Sequence, residues 1–173
     1  MLSFHKAELV DATDIADLVN TAYRGETSRL GWTTEADLLD GLRTTTSEVG
    51  QIIKRQDAFI LMGVLNNRVV ATIACEQHEN VAKFGMIAVK PSLQNKGYGK
   101  EMIQAAEAIT LREWRVSGFY MSVITLRTEL IQFYERLGYS RSGEFADFPQ
   151  NEALWQAKVA SLTLEHLIKR VMR

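Results

Sequence analysis

Cysteine and histidine are scarce in this sequence, and each scarcity closes off a class of function. The single cysteine, Cys75, cannot form an intramolecular disulfide, so the expected compartment is the cytoplasm. His5, His78 and His166 stand singly, with no HxxxH or CxxC partner, which argues against a metal site. Charge of one sign is missing as well: 20 Lys and Arg against 21 Asp and Glu, with no basic run, leave no electrostatic footprint for nucleic acid or a membrane surface. The longest apolar runs, near 58–65 and 69–75, have the length of strands and fall far short of a bilayer span. The opening MLSFHKAEL reaches polar residues too soon for a signal-peptide core.

What the chain does have is the composition of an ordinary globular protein. With 46% hydrophobic and 24% charged content over 173 residues, one domain over 1–173 is expected, able to bury about 70% of its unfolded surface. No internal repeat or low-complexity tract interrupts it.

The most specific signal lies in 86–112, MIAVKPSLQNKGYGKEMIQAAEAITLR. An apolar strand, 85–89, is stopped by Pro91, and a turn over 94–100 opens a helix with Met102, Ile103, Ala106 and Ile109 at a 3.6 period. Such a turn aims backbone N–H groups at one spot, and the helix adds unpaired donors and the positive end of its dipole. The product is an anion cradle, most often for phosphate. Gly97 and Gly99 allow close approach of the main chain, and Lys96 and Lys100 add positive charge at the rim.

Two common phosphate motifs do not fit. Glu101 follows Lys100 where a P-loop needs Ser or Thr, and Met102 stands where a dinucleotide fold needs its third Gly. What remains is Gln94-Asn95-Lys96-Gly97-Tyr98-Gly99, of the form [QR]xxGx[GA]. Downstream, 119–139 reads FYMSVITLRTELIQFYERLGY: a β-branched and aromatic strand over 119–125, then a helix over 128–137 with Leu130, Phe133, Tyr134 and Leu137 on one face and Gly138 at its end.

These two blocks resemble the acyl-CoA pyrophosphate loop and the FYxxLGF/Y helix of the GCN5-related N-acetyltransferase (GNAT) superfamily. Thr128 replaces the Pro that many relatives carry; Pro there only pre-sets the first helical turn, and Thr can cap it. The resemblance extends over nearly the full length. It implies an α/β fold: a mixed, mostly antiparallel central sheet of about seven strands flanked by about four or five helices.

The local reading agrees with that order. A strand over 4–9 and a helix over 11–23 are followed by a capped helix from Thr34 to near Gly41 and another over 47–55. Strands 58–65 and 68–76 flank the turn pair Asn66-Asn67. Strand 81–89, helix 99–116 and strand 119–125 form a right-handed crossover, and strands over 139–145 and 153–164 come last. Leu164, Leu167, Ile168, Val171 and Met172 at helical spacing leave the C-terminal stretch open between strand and helix.

The activity implied is transfer of an acetyl group from acetyl-CoA to a primary amine of a small molecule or peptide by direct attack. Residues 94–100 (Gln94, Asn95, Lys96, Gly97, Tyr98, Gly99, Lys100) would hold the cofactor. By resemblance, Ile87, Ala88 and Val89 contribute main-chain contacts where the parallel strands splay at a bulge, a place suited to Gly85, and the Ile87 N–H meets the oxyanion. Tyr134 matches the family's proton donor to the leaving thiolate. The base is the gap in the pattern: 81–89 offers only Lys83 among its polar residues, so Glu76, with His78, stands as substitute. Trp32, Glu35 and Phe148, with Asp37 and Asp147, could hold a cationic amine by carboxylate and aromatic contacts. Cys75 reads as a small core residue rather than a nucleophile.

Two other readings stay open at this level. One is a non-catalytic acyl-CoA-binding sensor, supported by the missing base; the other is a nucleotide-binding protein using the same helix-terminus physics. Many relatives dimerise through sheet edges or helices, but no stripe here compels a homodimer.

Overall fold

The computed structural model describes residues 1–172; residue 173, the last of the expected domain, lies outside them. Strand β1 (Ser3–Lys6) leads through a 3-10 turn into α1 (Ala12–Tyr23), whose Ile15, Val19, Ala22 and Tyr23 are buried on one face. A single turn, α2 (Gly25–Ser28), and a three-residue strand, β2 (Leu39–Gly41), precede α3 (Thr46–Lys54). Thr45 caps α3, its hydroxyl accepting from the Glu48 N–H at 3.1 Å.

Strands β3 (Ala58–Leu65), β4 (Arg68–His78) and β5 (Val81–Val89) form an antiparallel meander, with Asn66 and Asn67 both at positive φ in the first turn. Helix α4 (Tyr98–Trp114) then crosses to β6 (Gly118–Ile124), and α5 (Thr128–Arg136) leads to β7 (Ser140–Asp147), β8 (Trp155–Ala157) and β9 (Thr163–Arg170). The seven-stranded sheet runs β1-β3-β4-β5-β6-β9-β7, and only β5 and β6 pair in parallel. Five helices and a mixed, mostly antiparallel sheet are the architecture expected from the sequence.

Two cores sandwich the sheet. Phe59, Leu61, Ile73 and Phe84 pack toward α4 and α5, against Met102, Ile103, Ala106, Leu130 and Tyr134. Ile60, Met62, Ala74, Met86 and Ala88 face the other way, against Ile15, Val19 and Val49 of α1 and α3. Cys75 is fully buried in the first core, where burial pushes its thiol well above the ordinary value, so it is an inert core residue.

In β5 the alternation of faces breaks. Phe84 and Met86 are two residues apart and should share a face, yet they lie in opposite cores. The ladder explains it: Ala74 pairs with Gly85 and Thr72 with Ala88, so β5 carries an extra residue. The left-handed position is Met86, at φ +45°, and not Gly85, as the sequence suggested. The buried Thr72 hydroxyl donates to the Met86 carbonyl at 3.1 Å and fixes the bulge from the neighbouring strand. Beyond it β5 parts from β6, whose pairing is confined to Val81↔Gly118 through Lys83↔Tyr120.

Two expected elements differ. Residues 34–41 form turns and β2 rather than a helix, because Leu39 pairs with Ala157 of β8 and is buried with Ile124 and Leu162 in a small third core. The last long strand is 163–170 rather than 153–164. It is inserted between β6 and β7, with Ile168 opposite both Tyr120 and Ser140, and this settles the C-terminal stretch as strand.

Candidate active site

The loop between β5 and α4 turns through two left-handed residues into the start of the helix, and Gly99 lies within α4 rather than in the turn. Asn95 and Gly97 adopt positive φ, +63° and +85°, and the first amide of α4 to meet a carbonyl of the turn is that of Glu101, donating to Gly97 at 3.0 Å. The N–H groups of Tyr98, Gly99 and Lys100 therefore open outward at the positive end of a 17-residue helix. A Cβ on Gly97 would meet nothing within 4 Å, so glycine is needed there for conformation; at Gly99 it would touch Phe133 of α5 at 3.5 Å.

Gln94 plays a different part from the one expected. Its side-chain amide donates to the Thr33 hydroxyl (2.8 Å) and the Val89 carbonyl (3.1 Å) and accepts from the Trp32 N–H (2.8 Å). These bonds tie residues 32–33 to the end of β5. The side chain is engaged in shaping the loop rather than free to meet an anion.

Above the loop lies a cavity of about 420 Å³, walled by residues 93–95 and 97–100, Trp32, Ile87 and Val89 and, from α5, Glu129, Phe133, Tyr134 and Arg136, while Lys96 is exposed outside its lining. A second cavity of about 240 Å³ lies on the far side of the splay, between Lys83 to Ile87, residues 121–124 of β6, Tyr23, Arg24, Arg127 and the aromatic pair Phe148 and Trp155. Ile87, Leu130 and Tyr134 line both. The gap opened by the bulge is where the two spaces meet.

The free edge of β5 can be read from its ladder. The Lys90 N–H donates to the Val70 carbonyl at 2.8 Å, so by alternation Ala88 also points its main chain at β4, while Ile87 and Val89 point theirs into the gap. Ala88, expected to offer main-chain contacts, is instead part of the ladder with Thr72. The two carbonyls in the gap have side-chain donors: the Tyr23 hydroxyl for Ile87 and Gln94 for Val89. The amides of Ile87 and Val89 face the cavity.

Tyr134 is 4% exposed, in edge-to-face contact with Phe133 and Tyr139. Burial first, then the neighbouring Tyr23, pushes its phenol well above the ordinary value of 10.0, so it stays protonated across the physiological range.

The charged residues of the second cavity are the ones local reading missed. Arg24 Nε and Arg127 Nη1 each lie 3.3 Å from a different oxygen of Glu35, and all three side chains are under a tenth exposed. Arg127 Nη2 also donates to the Thr33 carbonyl at 2.5 Å and Arg24 Nη1 to that of Leu42 at 3.1 Å. Glu35, expected to bind a cationic amine, is therefore neutralised by two guanidiniums. Arg127 lies within the block 119–139, just before its helix, but its partner is 92 residues away.

Other candidates are separated from the site. Glu76 pairs with Arg55 at 2.9 Å and lines neither cavity. Trp32 stands on the loop side, edge-on to Phe133 at 5.6 Å, rather than with the acceptor candidates. Asp37 is exposed and paired with Arg29, whereas Phe148 does line the second cavity. Among the described residues no three metal-capable side chains cluster, and no helix is long and apolar enough to cross a membrane.

Comparison with known proteins agrees with this geometry. The model of the Acetyltransferase (GNAT) family matches residues 15–139. The fold is similar to that of the ribosomal-protein-S18-alanine N-acetyltransferase from Escherichia coli, at 13% identity and a TM-score of 0.70 over 100% of this chain and 96% of that one. An N-acetyltransferase from Staphylococcus aureus Mu50 gives 17% identity and a TM-score of 0.72 over 98% and 97%. A Bacillus anthracis str. Ames protein in complex with acetyl coenzyme A gives 19% and 0.58 over 72% and 68%. The chain belongs to the GNAT acetyltransferase family.

Proposed function

We propose that this protein is a single-domain N-acetyltransferase that moves the acetyl group of acetyl-CoA to a primary amine by direct attack. The observation that carries the reading is the meeting of two cavities at Ile87 and Tyr134, with an anion cradle at the mouth of one. In this reading the amides of 95–100 and the charges of Lys96 and Lys100 hold the pyrophosphate, and the pantetheine arm pairs with the free edge at Ile87 and Val89. The B. anthracis complex with acetyl coenzyme A supports the choice of donor.

The amine enters through the second cavity, which places it across the splay from the thioester. Its nitrogen bonds to the acetyl carbon, the Ile87 N–H receives the oxyanion as it forms, and Tyr134 protonates the sulfur as the C–S bond breaks. The proton lost by the amine goes to water. Among the described residues the second cavity contains one carboxylate, Glu35, held by two arginines, and no histidine. The rate therefore follows deprotonation of the amine itself and rises with pH up to the amine's own pKa.

A thermal-shift panel of acetyl-CoA, CoA, ATP and NAD, followed by amine-dependent release of free thiol, tests this. A ligand at a hundred times its Kd adds about 2.7 kcal/mol. Stabilisation by acetyl-CoA and CoA alone, with thiol release that needs an amine, is expected. Binding without release would leave an acyl-CoA sensor, and preference for ATP or NAD would overturn the reading.

A further inference from the structure

The acceptor-side cavity holds more positive charge than it can neutralise internally. Arg24, Arg43, Arg127 and Lys83 line it against the single carboxylate of Glu35. Arg24 and Arg127 are both buried, at 3% and 9% side-chain exposure, and share that carboxylate. Two guanidiniums and one carboxylate leave a net positive charge where water is scarce, and such a charge is costly unless paired. The hydrogen-bond inventory points the same way. Arg24 Nη2 is buried with no partner, the one such side-chain atom among the described residues. A buried guanidinium nitrogen with nothing to donate to calls for an acceptor from outside the chain.

The other walls limit what that acceptor is. Phe148 and Trp155 stand edge to face at 5.9 Å, and the Arg24 guanidinium lies 5.8 Å from the Trp155 ring. At about 240 Å³ the space is below the ordinary range for drug-sized ligands, about 300–1,000 Å³. It suits a small molecule with an apolar body, one end at the arginines and the other at Ile87 and Tyr134.

We infer that the amine acetylated by this enzyme also bears a carboxylate, as a free amino acid does, and that Arg24 and Arg127 bind that carboxylate while the amine faces Ile87. This rests on the acetyltransferase reading above. It reverses the polarity read from Glu35 in the sequence: the cavity selects an anion-bearing amine, and a polycationic amine is disfavoured by the same charges.

Matched acceptors test it on the full chain. A pool of free amino acids is compared with the pool of their neutral α-amides, by thiol release with acetyl-CoA and by calorimetric binding to the CoA-loaded protein. Charge-assisted contacts to two arginines predict that the amino acids are preferred by about tenfold or more in both readouts. Equal or better use of the amides, or binding of neither pool, overturns the inference. Selective binding of the amino acids without thiol release would uphold the carboxylate site at Arg24 and Arg127 and overturn acetyl transfer instead. Arg24→Gln is expected to collapse the acid-to-amide ratio toward unity, whereas a merely structural defect lowers both arms alike; an unchanged ratio in a folded variant also overturns the inference. The wild-type comparison decides the matter if that variant does not fold.

Discussion

The Tyr23 hydroxyl, at the end of α1, donates a hydrogen bond to the Ile87 carbonyl on the free edge of β5. Tyr23 and Ile87 lie 64 residues apart, and this contact fixes the carbonyl of the residue whose own amide, in the preceding peptide, faces the junction of the two cavities. Thr72 acts one residue earlier from the other side, through the Met86 carbonyl. Together they hold a backbone kink that β5 on its own would not adopt.

Thr72→Val should therefore destabilise the fold more than its near-isosteric change suggests. It leaves the Met86 carbonyl buried and unpaired, at a cost of about 1–3 kcal/mol, or a fall of roughly 2–10 °C in Tm for a chain of this length. Tyr23→Phe should cost about 1 kcal/mol, because the Ile87 carbonyl borders a cavity that water can enter. Calorimetry on both variants checks the order.

Gly97→Ala isolates the loop. The new methyl group meets nothing, so the penalty is the left-handed backbone alone, about 1–2 kcal/mol. We expect a circular dichroism spectrum like that of the parent and acetyl-CoA affinity reduced about tenfold or more, as the loop relaxes away from its cradle. Unchanged affinity would place the pyrophosphate elsewhere.

Alkaline pH should weaken the fold over the range in which an exposed thiol and an exposed tyrosine titrate. Cys75, Tyr23, Tyr134 and Tyr139 are all shifted upward by burial from ordinary values of 9.0 and 10.0. The unfolded chain releases these protons first, so their contribution is fully present below about pH 9 and is lost as pH rises past the unfolded values toward the folded ones. Tm measured from pH 7 to 11 should fall steepest above pH 9.

Glu76→Gln separates geometry from sequence pattern. Glu76 is paired with Arg55 and lies outside both cavities, so kcat should change by less than about twofold. A large loss in kcat with a normal pH profile elsewhere would restore Glu76 as the base.

The parts legible in the sequence are those determined locally. Residues 94–99 could be read because a strand stop, two glycines and an amphipathic helix lie within one short stretch. Gly85 was a fair guess for the bulge, but the residue that bends is chosen by Thr72 on another strand. Glu35 and Asp37 looked alike as acidic loop residues; that one is clamped between Arg24 and Arg127 and the other exposed is decided by contacts up to 92 residues away. Strand β9 mimicked a helix because Glu165, buried against Arg141 at 2.6 Å, interrupts its apolar alternation.

In the proposed reaction thioester and amine meet at Tyr134. The most direct measurement is a single-turnover experiment on Tyr134→Phe, with acetyl-CoA affinity measured in parallel. An acetyl-CoA Kd within about threefold of the parent and a chemical step slower by about 100-fold are expected. A chemical step at the parental rate would contradict the proposed reaction and move the proton transfer to another group.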